Sequence, residues 1–529
     1  MKYMKKVLLY GLLLILLPLR SMAQGEELTI VKGDCTPGLS VDTGNPRRAS
    51  RRLPAPSTSW DKDRTYHQLV ILFYFSDTEF KAEHSKEYYE KVFNEAGYNE
   101  GNGPGCMVDY YRVQSNGLFN LQFDIYGPYQ VSSKACPYDS PDENTKNYGK
   151  DVIREATEKF VADHPEIDFS QYDWNGNGYV NQVVYINAGI SGNINNTSAY
   201  GHIWPNTSSF YPIIKTSDGK KISNYTISAE YFNETRPCGI GTICHEFSHS
   251  LGLPDIYPTA KGQGYSACDE WDLMDGGNFT NFGWCPPNFT ALEKYLLGWI
   301  EFTELDDAAS ITDLKPTSEG GEVYRIKHSD SEWLLLENRQ QRGWDAGAPG
   351  KGLVIYHVNY DGSVWSGNSV NNDKTKRRFH LVHADNMDYD AWKNYISVNQ
   401  LSTYVNSPRM NSRYLSTSPY PYIVEDVVQN NELTDDSTPP ATMFYPNLDG
   451  NKQLRKPITN IQMTDEGLIS FDFMGGTTDI KMPVRQLMYG ERKIYDLSGR
   501  MVKTPQSGKV YILRTLDGTT HKQVQHHAK

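Results

Sequence analysis

Beyond residue 19 this 529-residue sequence has no apolar run long enough to cross a membrane. Its mean hydropathy is −0.60. The one leucine-rich run, residues 7–19, is too short for a span. It follows a short basic stretch, Met1 to Lys6, and precedes Ser21-Met22-Ala23, small residues of the kind a signal peptidase reads. Residues 1–23 are therefore expected to be a signal peptide, with the exported chain starting near Gln24 and holding no transmembrane segment. Positive charge is also in short supply: 52 Lys and Arg stand against 64 Asp and Glu, a net charge of −12. No Lys/Arg-rich block carries interleaved aromatics, so nucleic acid is not an expected partner. Neither a G-x-S-x-G elbow nor a Walker-type phosphate loop occurs, which leaves serine-hydrolase and NTPase chemistry without footing.

Cysteine is sparse, with seven in the chain. In an exported protein that number suggests disulfides with one residue left over. Cys106, Cys136, Cys238, Cys244, Cys268 and Cys285 share one region and could form three bridges, in pairings the sequence does not decide. Cys35 stands apart in Lys32-Gly33-Asp34-Cys35-Thr36-Pro37-Gly38, ahead of the basic pairs Arg47-Arg48 and Arg51-Arg52. Residues 24–62 read as a leader or propeptide. A thiolate binds zinc strongly, so Cys35 is a candidate latency switch, with the Asp34 carboxylate as an alternative; an ordinary leader cysteine is the plainer account.

What the chain does have is Cys244-His245-Glu246-Phe247-Ser248-His249-Ser250-Leu251-Gly252-Leu253-Pro254-Asp255-Ile256-Tyr257. On a helix, His245 and His249 lie on one face about 5–6 Å apart, the spacing of a zinc clamp. Gly252 can take the left-handed conformation that ends a helix, and Pro254 bars its resumption. The chain must then turn back and bring Asp255 toward the metal. Three protein ligands leave a coordination position open, as in catalytic rather than structural zinc sites. Glu246 lies about 100° around the helix from His245, placed to act as general base without binding the metal. The glycine three residues after His249 and a ligand-capable residue three further on match the metzincin spacing, with Asp255 where a third histidine usually stands. Met274, in Trp271-Asp272-Leu273-Met274-Asp275-Gly276, falls where a Met-turn would lie; alone, it would read as a core methionine. Tyr257 is a candidate oxyanion donor or, more simply, a packing residue.

Around this stretch the expected layout is α+β. Residues 68–75, 118–126 and 180–188 read as strands, and 85–96, 107–115 and 151–163 as helices. Asp173-Trp174-Asn175-Gly176-Asn177-Gly178 spaces oxygen side chains as an EF-hand loop begins, but Val184 stands where the closing glutamate belongs. Asp173, Asn175 and Asn177 are thus a candidate calcium site, against the plainer reading of a polar turn.

These stretches together resemble the immune inhibitor A family of secreted bacterial zinc peptidases. The resemblance runs through Met107-Val108-Asp109-Tyr110-Tyr111, Ser115-Asn116-Gly117, the segment from Asp173 to Gln182, Gly201-His202-Ile203-Trp204-Pro205, the His245 motif, the Met274 motif and Glu293-Lys294-Tyr295-Leu296-Leu297-Gly298-Trp299. It implies a metzincin-like fold, endoproteolysis of protein or peptide substrates, zinc on His245 and His249, and Glu246 as the catalytic glutamate. Asp255 matches an aspartate that the family pattern also carries; the third ligand is this residue or another carboxylate.

Residues 63–300 are accordingly expected to be the catalytic domain. Beyond them, strands at 322–326, 332–338, 352–360 and 379–384 suggest a β-sandwich-like domain over 301–475, in which His357 and Trp365 read as structural. Residues 476–529 form a separate short β module. Its Ile494-Tyr495-Asp496-Leu497-Ser498-Gly499-Arg500 and residues 508–514 resemble the C-terminal modules that sort cargo through type IX secretion, implying a secretion-machinery partner and either release or surface attachment. The rival reading, a surface adhesin or glycan-binding protein that keeps the zinc helix as scaffold, gives Glu246 no purpose. A zinc hydrolase of small molecules would need a closed pocket.

Overall fold

The computed structural model describes residues 29–30, 60–137, 143–195, 202–233, 235–260, 265–398 and 414–476, with short stretches between 493 and 524. The expected signal peptide, Asp34 and Cys35 lie outside the described residues. So does Gly201, and so do residues 496–499 of the C-terminal motif. The chain divides into two compact units, Met1–Gly476 and Thr477–Lys529. No helix among the described residues is long and apolar enough to cross a membrane.

The first half of the larger unit is built on a mixed sheet. Its strands are β1 (Thr65–Tyr74), β2 (Asn120–Gln130), β3 (Val183–Ile190), β4 (Asn206–Lys215) and β5 (Lys221–Asn233), in the order β2-β1-β3-β5-β4. β1 pairs in parallel with β2 and β3, and β3 with β5, while β4 runs antiparallel to β5 at the edge. Parallel neighbours need long crossovers, and helices supply them: α1 (Lys86–Asn94) and α2 (Met107–Gln114) between β1 and β2, and α3 (Glu143–Asp163) between β2 and β3. Helices on both faces explain why the middle of β1 is apolar without alternation. Val70 and Leu72 join the core under α2, whereas Leu69, Ile71 and Phe73 join the core under α3 with Val152, Ile153, Ala156 and Phe160.

α4 (Ile240–Ser250) lies on the α2 side of this sheet and is buried from Ile240 through His249. Tyr111 of α2 fastens it, donating its hydroxyl to the Cys244 carbonyl at 2.9 Å beside Ser248 Oγ at 3.1 Å. A short helix, α5 (Ala291–Leu296), follows with a capping box between Thr290 and Glu293.

The second half contributes β6 (Thr303–Glu304), β7 (Ala309–Leu314), β8 (Tyr324–Lys327), β9 (Glu332–Arg339), β10 (Gly352–Asn359), α6 (Gly362–Ser366), β11 (Phe379–Leu381), β12 (Ile458–Met463) and β13 (Ile469–Phe473). Two sheets result, one ordered β11-β10-β9-β8-β6 and the other β7-β13-β12. Leu334, Leu336, Leu353 and Ile355 share a core with Phe471 and Phe473 of the smaller sheet. Trp333, Leu335, Tyr356 and Val358 alternate with them and enter the core that holds α4 and Trp271. Every residue of β9 and β10 is buried. The molecule is thus mixed α and β with several sheets. His357 is buried against Glu332 at 2.8 Å, and Trp365 packs on Tyr360 with ring centres 4.8 Å apart.

The smaller unit holds a three-stranded antiparallel sheet of β14 (Lys493–Tyr495), β15 (Val510–Arg514) and β16 (Thr520–Val524).

One expectation is corrected. Cys106, Cys238, Cys244, Cys268 and Cys285 are unbridged thiols, which leaves no room for three disulfides among the six clustered cysteines. They serve as small apolar residues instead. Burial pushes the thiols up, to about 11 for Cys106 and Cys285 and to about 12 for Cys238, so they stay protonated and unreactive. Cys106 also caps α2, its sulfur accepting the Asp109 N–H at 3.4 Å.

Candidate metal centre

α4 ends as its sequence requires. Gly252 takes φ +101°, and the N–H groups of Gly252 and Leu253 return to the carbonyls of His249 and Ser248 at 3.0 and 3.2 Å. This reversal points the Leu253 carbonyl at the ring of His249, which it meets at Nδ1 at 2.7 Å. His245 Nδ1 lies 2.8 Å from the carbonyl of Leu273. Each carbonyl accepts the Nδ1 proton, so Nε2 is the nitrogen of each ring left to bind a metal once it gives up any proton of its own.

The two Nε2 atoms converge on Asp255. Its Oδ1 lies 3.1 Å from His245 Nε2 and 3.3 Å from His249 Nε2. Ligand atoms of His245, His249 and Asp255 all fall within 4.8 Å of one another, and all three residues are buried. His249 Nε2 is out of alignment for a hydrogen bond and has no partner of its own. A buried, unpartnered nitrogen facing a carboxylate and a second imidazole fits a divalent cation. Burial pulls the His249 pKa down, but Asp255 outweighs it and the net value is pushed up to about 9. Burial raises the Asp255 carboxyl, and the two histidines more than reverse this, holding it well below the usual carboxylate range.

Glu246 is buried at 4 % exposure. Thr207 of β4 donates its hydroxyl to the Glu246 carbonyl and lies 3.5 Å from the carboxylate Oε2. Tyr257 is buried and stacks on His245, with ring centres 6.3 Å apart at 14°. Met274 is fully buried. The residues beside it frame the site: the Met274 carbonyl accepts the Ile256 N–H at 2.8 Å, next to Asp255.

The model of the immune inhibitor A peptidase M6 catalytic domain matches residues 73–297, a stretch that contains this whole cluster. Residues 73–297 belong to the immune inhibitor A peptidase M6 family. The chain is also similar to Pre-pro-metalloprotease PrtV of Vibrio cholerae, at 23 % identity over 270 residues, 46 % of this chain and 28 % of that protein. Immune inhibitor A of Bacillus thuringiensis is 24 % identical over 302 residues, 48 % of this chain and 43 % of its own length. The chain therefore spans less than half the length of these relatives.

Within the M6 domain, the candidate calcium loop is organised around a lysine. Asp173 accepts the N–H groups of Asn177 and Gly178 at 3.0 and 2.9 Å, and its Oδ2 takes the Lys220 ammonium at 2.7 Å. Asn175 Oδ1 accepts the Asn177 N–H at 3.3 Å, and Asn177 Oδ1 accepts that of Tyr179 at 2.9 Å. Burial raises the Asp173 carboxyl, and Lys220 with the loop N–H groups turns the net shift downward.

Two site residues had no signal in the motif. Thr207 lies two residues past the His202-Ile203-Trp204-Pro205 stretch, and only the packing of α4 against the sheet brings it to Glu246. Asn368 lies outside the M6 domain altogether: its amide donates to Asp255 Oδ2 at 2.7 Å, and its Oδ1 accepts the Asp255 N–H at 2.7 Å.

Proposed function

We propose that the protein is a zinc-dependent endopeptidase, exported from the cell, in which His245, His249 and Asp255 hold the metal and Glu246 is the general base. The observation that carries this reading is the buried triad, with both Nδ1 atoms anchored on carbonyls and both Nε2 atoms aimed at one carboxylate oxygen. The membership of residues 73–297 in a peptidase family supports it, as do the relatives, one of which is named a metalloprotease.

When bound, zinc supplies Lewis acidity toward a carbonyl and eases deprotonation of water. The chain does the rest. His245 and His249 are pre-oriented by the Leu273 and Leu253 carbonyls, so no ring rotation is required. Glu246 takes the proton of the attacking water and delivers it to the leaving amine. Thr207 holds the backbone of Glu246 from an edge strand, and an edge strand beside the base suits a substrate bound extended, by strand addition. In this reading the arrangement is metzincin-like, with Met274 in the Met-turn.

The same reading keeps 63–300 as catalytic domain and 301–475 as a β-sandwich-like support. It assigns residues 1–23 to export, 24–62 to a leader with Cys35 as latency switch, and 476–529 to sorting by a secretion machinery.

The test is cleavage of unfolded casein with and without a zinc chelator. Glu246→Ala is expected to keep its zinc and lose activity by about 10²–10⁴-fold, whereas His249→Ala loses both metal and activity. An active Glu246→Ala protein would overturn the assignment.

A further inference from the structure

Resting on the metal centre just proposed, we infer that Asn368 is a positioning residue for Asp255, so that the metal site is completed by a residue 113 positions downstream and outside the peptidase domain. Asp255 is fully buried, and its two oxygens have different tasks. Oδ1 faces the two imidazoles. Oδ2 points away from them, where no solvent reaches it, and needs a donor from the protein. Asn368 is that donor. Because the same amide also accepts the Asp255 backbone N–H, the residue is gripped at two points, and rotation of its carboxylate out of the metal-facing orientation would break a buried hydrogen bond.

The placement of Asn368 is itself built. It follows α6, whose start is capped by Asp361, with Oδ1 accepting the Ser363 N–H at 3.1 Å. It sits at φ +49°, a left-handed conformation that asparagine tolerates better than most residues. Its carbonyl accepts the Thr259 hydroxyl at 2.7 Å. Two neighbours reinforce the same junction without touching the carboxylate: Asn371 donates to the Ile256 carbonyl at 2.8 Å, and Asn372 Oδ1 accepts the Ala260 N–H at 2.9 Å. Anchoring of the segment after the metal helix is thus shared among three asparagines. Orientation of the ligand oxygen belongs to Asn368, as partners behind metal ligands commonly determine affinity.

The experiment compares the full-length protein with Asn368→Gly, which keeps the positive φ free of strain, and Asn368→Asp, which keeps the size but turns an acceptor toward Asp255. Asn372→Ala controls for segment anchoring. Zinc affinity is measured by competition with a chromophoric chelator, ligand geometry by the d–d absorption of the cobalt-substituted proteins, and folding by melting of the metal-free forms. Both Asn368 variants are expected to bind zinc about 10–100-fold more weakly, Asn368→Asp the weaker, with a shifted cobalt spectrum; Asn372→Ala keeps the parent affinity and spectrum. If one Asn368 variant fails to fold, the other decides. Parent-like zinc affinity in the folded Asn368 variants, or an equal loss in Asn372→Ala, overturns the positioning role and leaves the metal centre standing. A parent protein that binds no zinc overturns both.

Discussion

Asp272 and Glu293 meet behind the candidate metal centre as two buried carboxyls that resist carrying a charge together. Asp272 Oδ1 accepts the Met274 N–H at 2.7 Å, and Glu293 Oε2 accepts the N–H and hydroxyl of Thr290 at 2.8 and 2.9 Å. Their remaining oxygens turn to each other. Burial first, and then the charge of Glu293, pushes the Asp272 carboxyl well above its ordinary value. Burial also raises Glu293. The folded pair therefore keeps a proton that the unfolded chain releases near pH 4. Its contribution to stability is complete below that pH and is lost as pH rises through the raised folded values. Asp272→Asn keeps the acceptor for Met274 and gives Glu293 a donor that never dissociates. Its melting temperature should fall less than the parent's as pH rises from about 5 to about 8. Parallel melting curves would show that the pair shares no proton.

At the scale of the element, the loop after Asp173 and the helix carrying His245 differ in how far their sequences speak for them. In the loop the Lys220 ammonium already neutralises the Asp173 carboxylate, which it meets at 2.7 Å. The melting temperature of the parent should be unmoved by added calcium or a calcium-selective chelator, while Lys220→Met lowers it. A calcium-dependent rise in the parent would return the loop to the metal-binding class. Lys220 lies too far along the chain for the loop's own spacing to reveal it. α4 was legible because its determinants are local: the four-residue histidine interval, Gly252 as terminator and the forced return at Pro254 all act within one turn and its reversal. The carbonyl behind His249 comes from that reversal too. Leu273 behind His245, Thr207 beside Glu246 and Asn368 behind Asp255 come from other elements, and a motif holds no trace of them. The strands at 332–338 and 352–360 were visible as apolar runs, though not which cores they fill. Cysteine count misled for a related reason, since composition speaks of the compartment and not of burial.

In the whole molecule, the peptidase domain and the sheets after it share a core. Arg339 of β9 shows the join. Buried at 2 % exposure, it donates to the carbonyls of Trp271 at 2.7 Å and Asn288 at 3.2 Å, and to Asp345 Oδ2 at 3.0 Å. Trp333, Leu335 and Tyr356 close the apolar volume around Trp271, Phe289 and Leu292. A chain stopped after Gly476 should match the full-length chain in zinc binding and in the proposed casein cleavage, because the larger unit is whole. A chain stopped near residue 300 should show neither a cooperative melt nor stoichiometric zinc, since it leaves that core open and removes Asn368. A short chain that melts sharply with zinc bound would refute the shared core.

β9 and β10 are wetted on neither side. An ordinary surface strand offers every second position to drift, because one of its faces looks onto water. These two strands have no such neutral column. Over their full length, any change of size or polarity is felt at once by the peptidase core on one side and by the distal sheet on the other, so neither half of the larger unit is free to diversify without the consent of its neighbour.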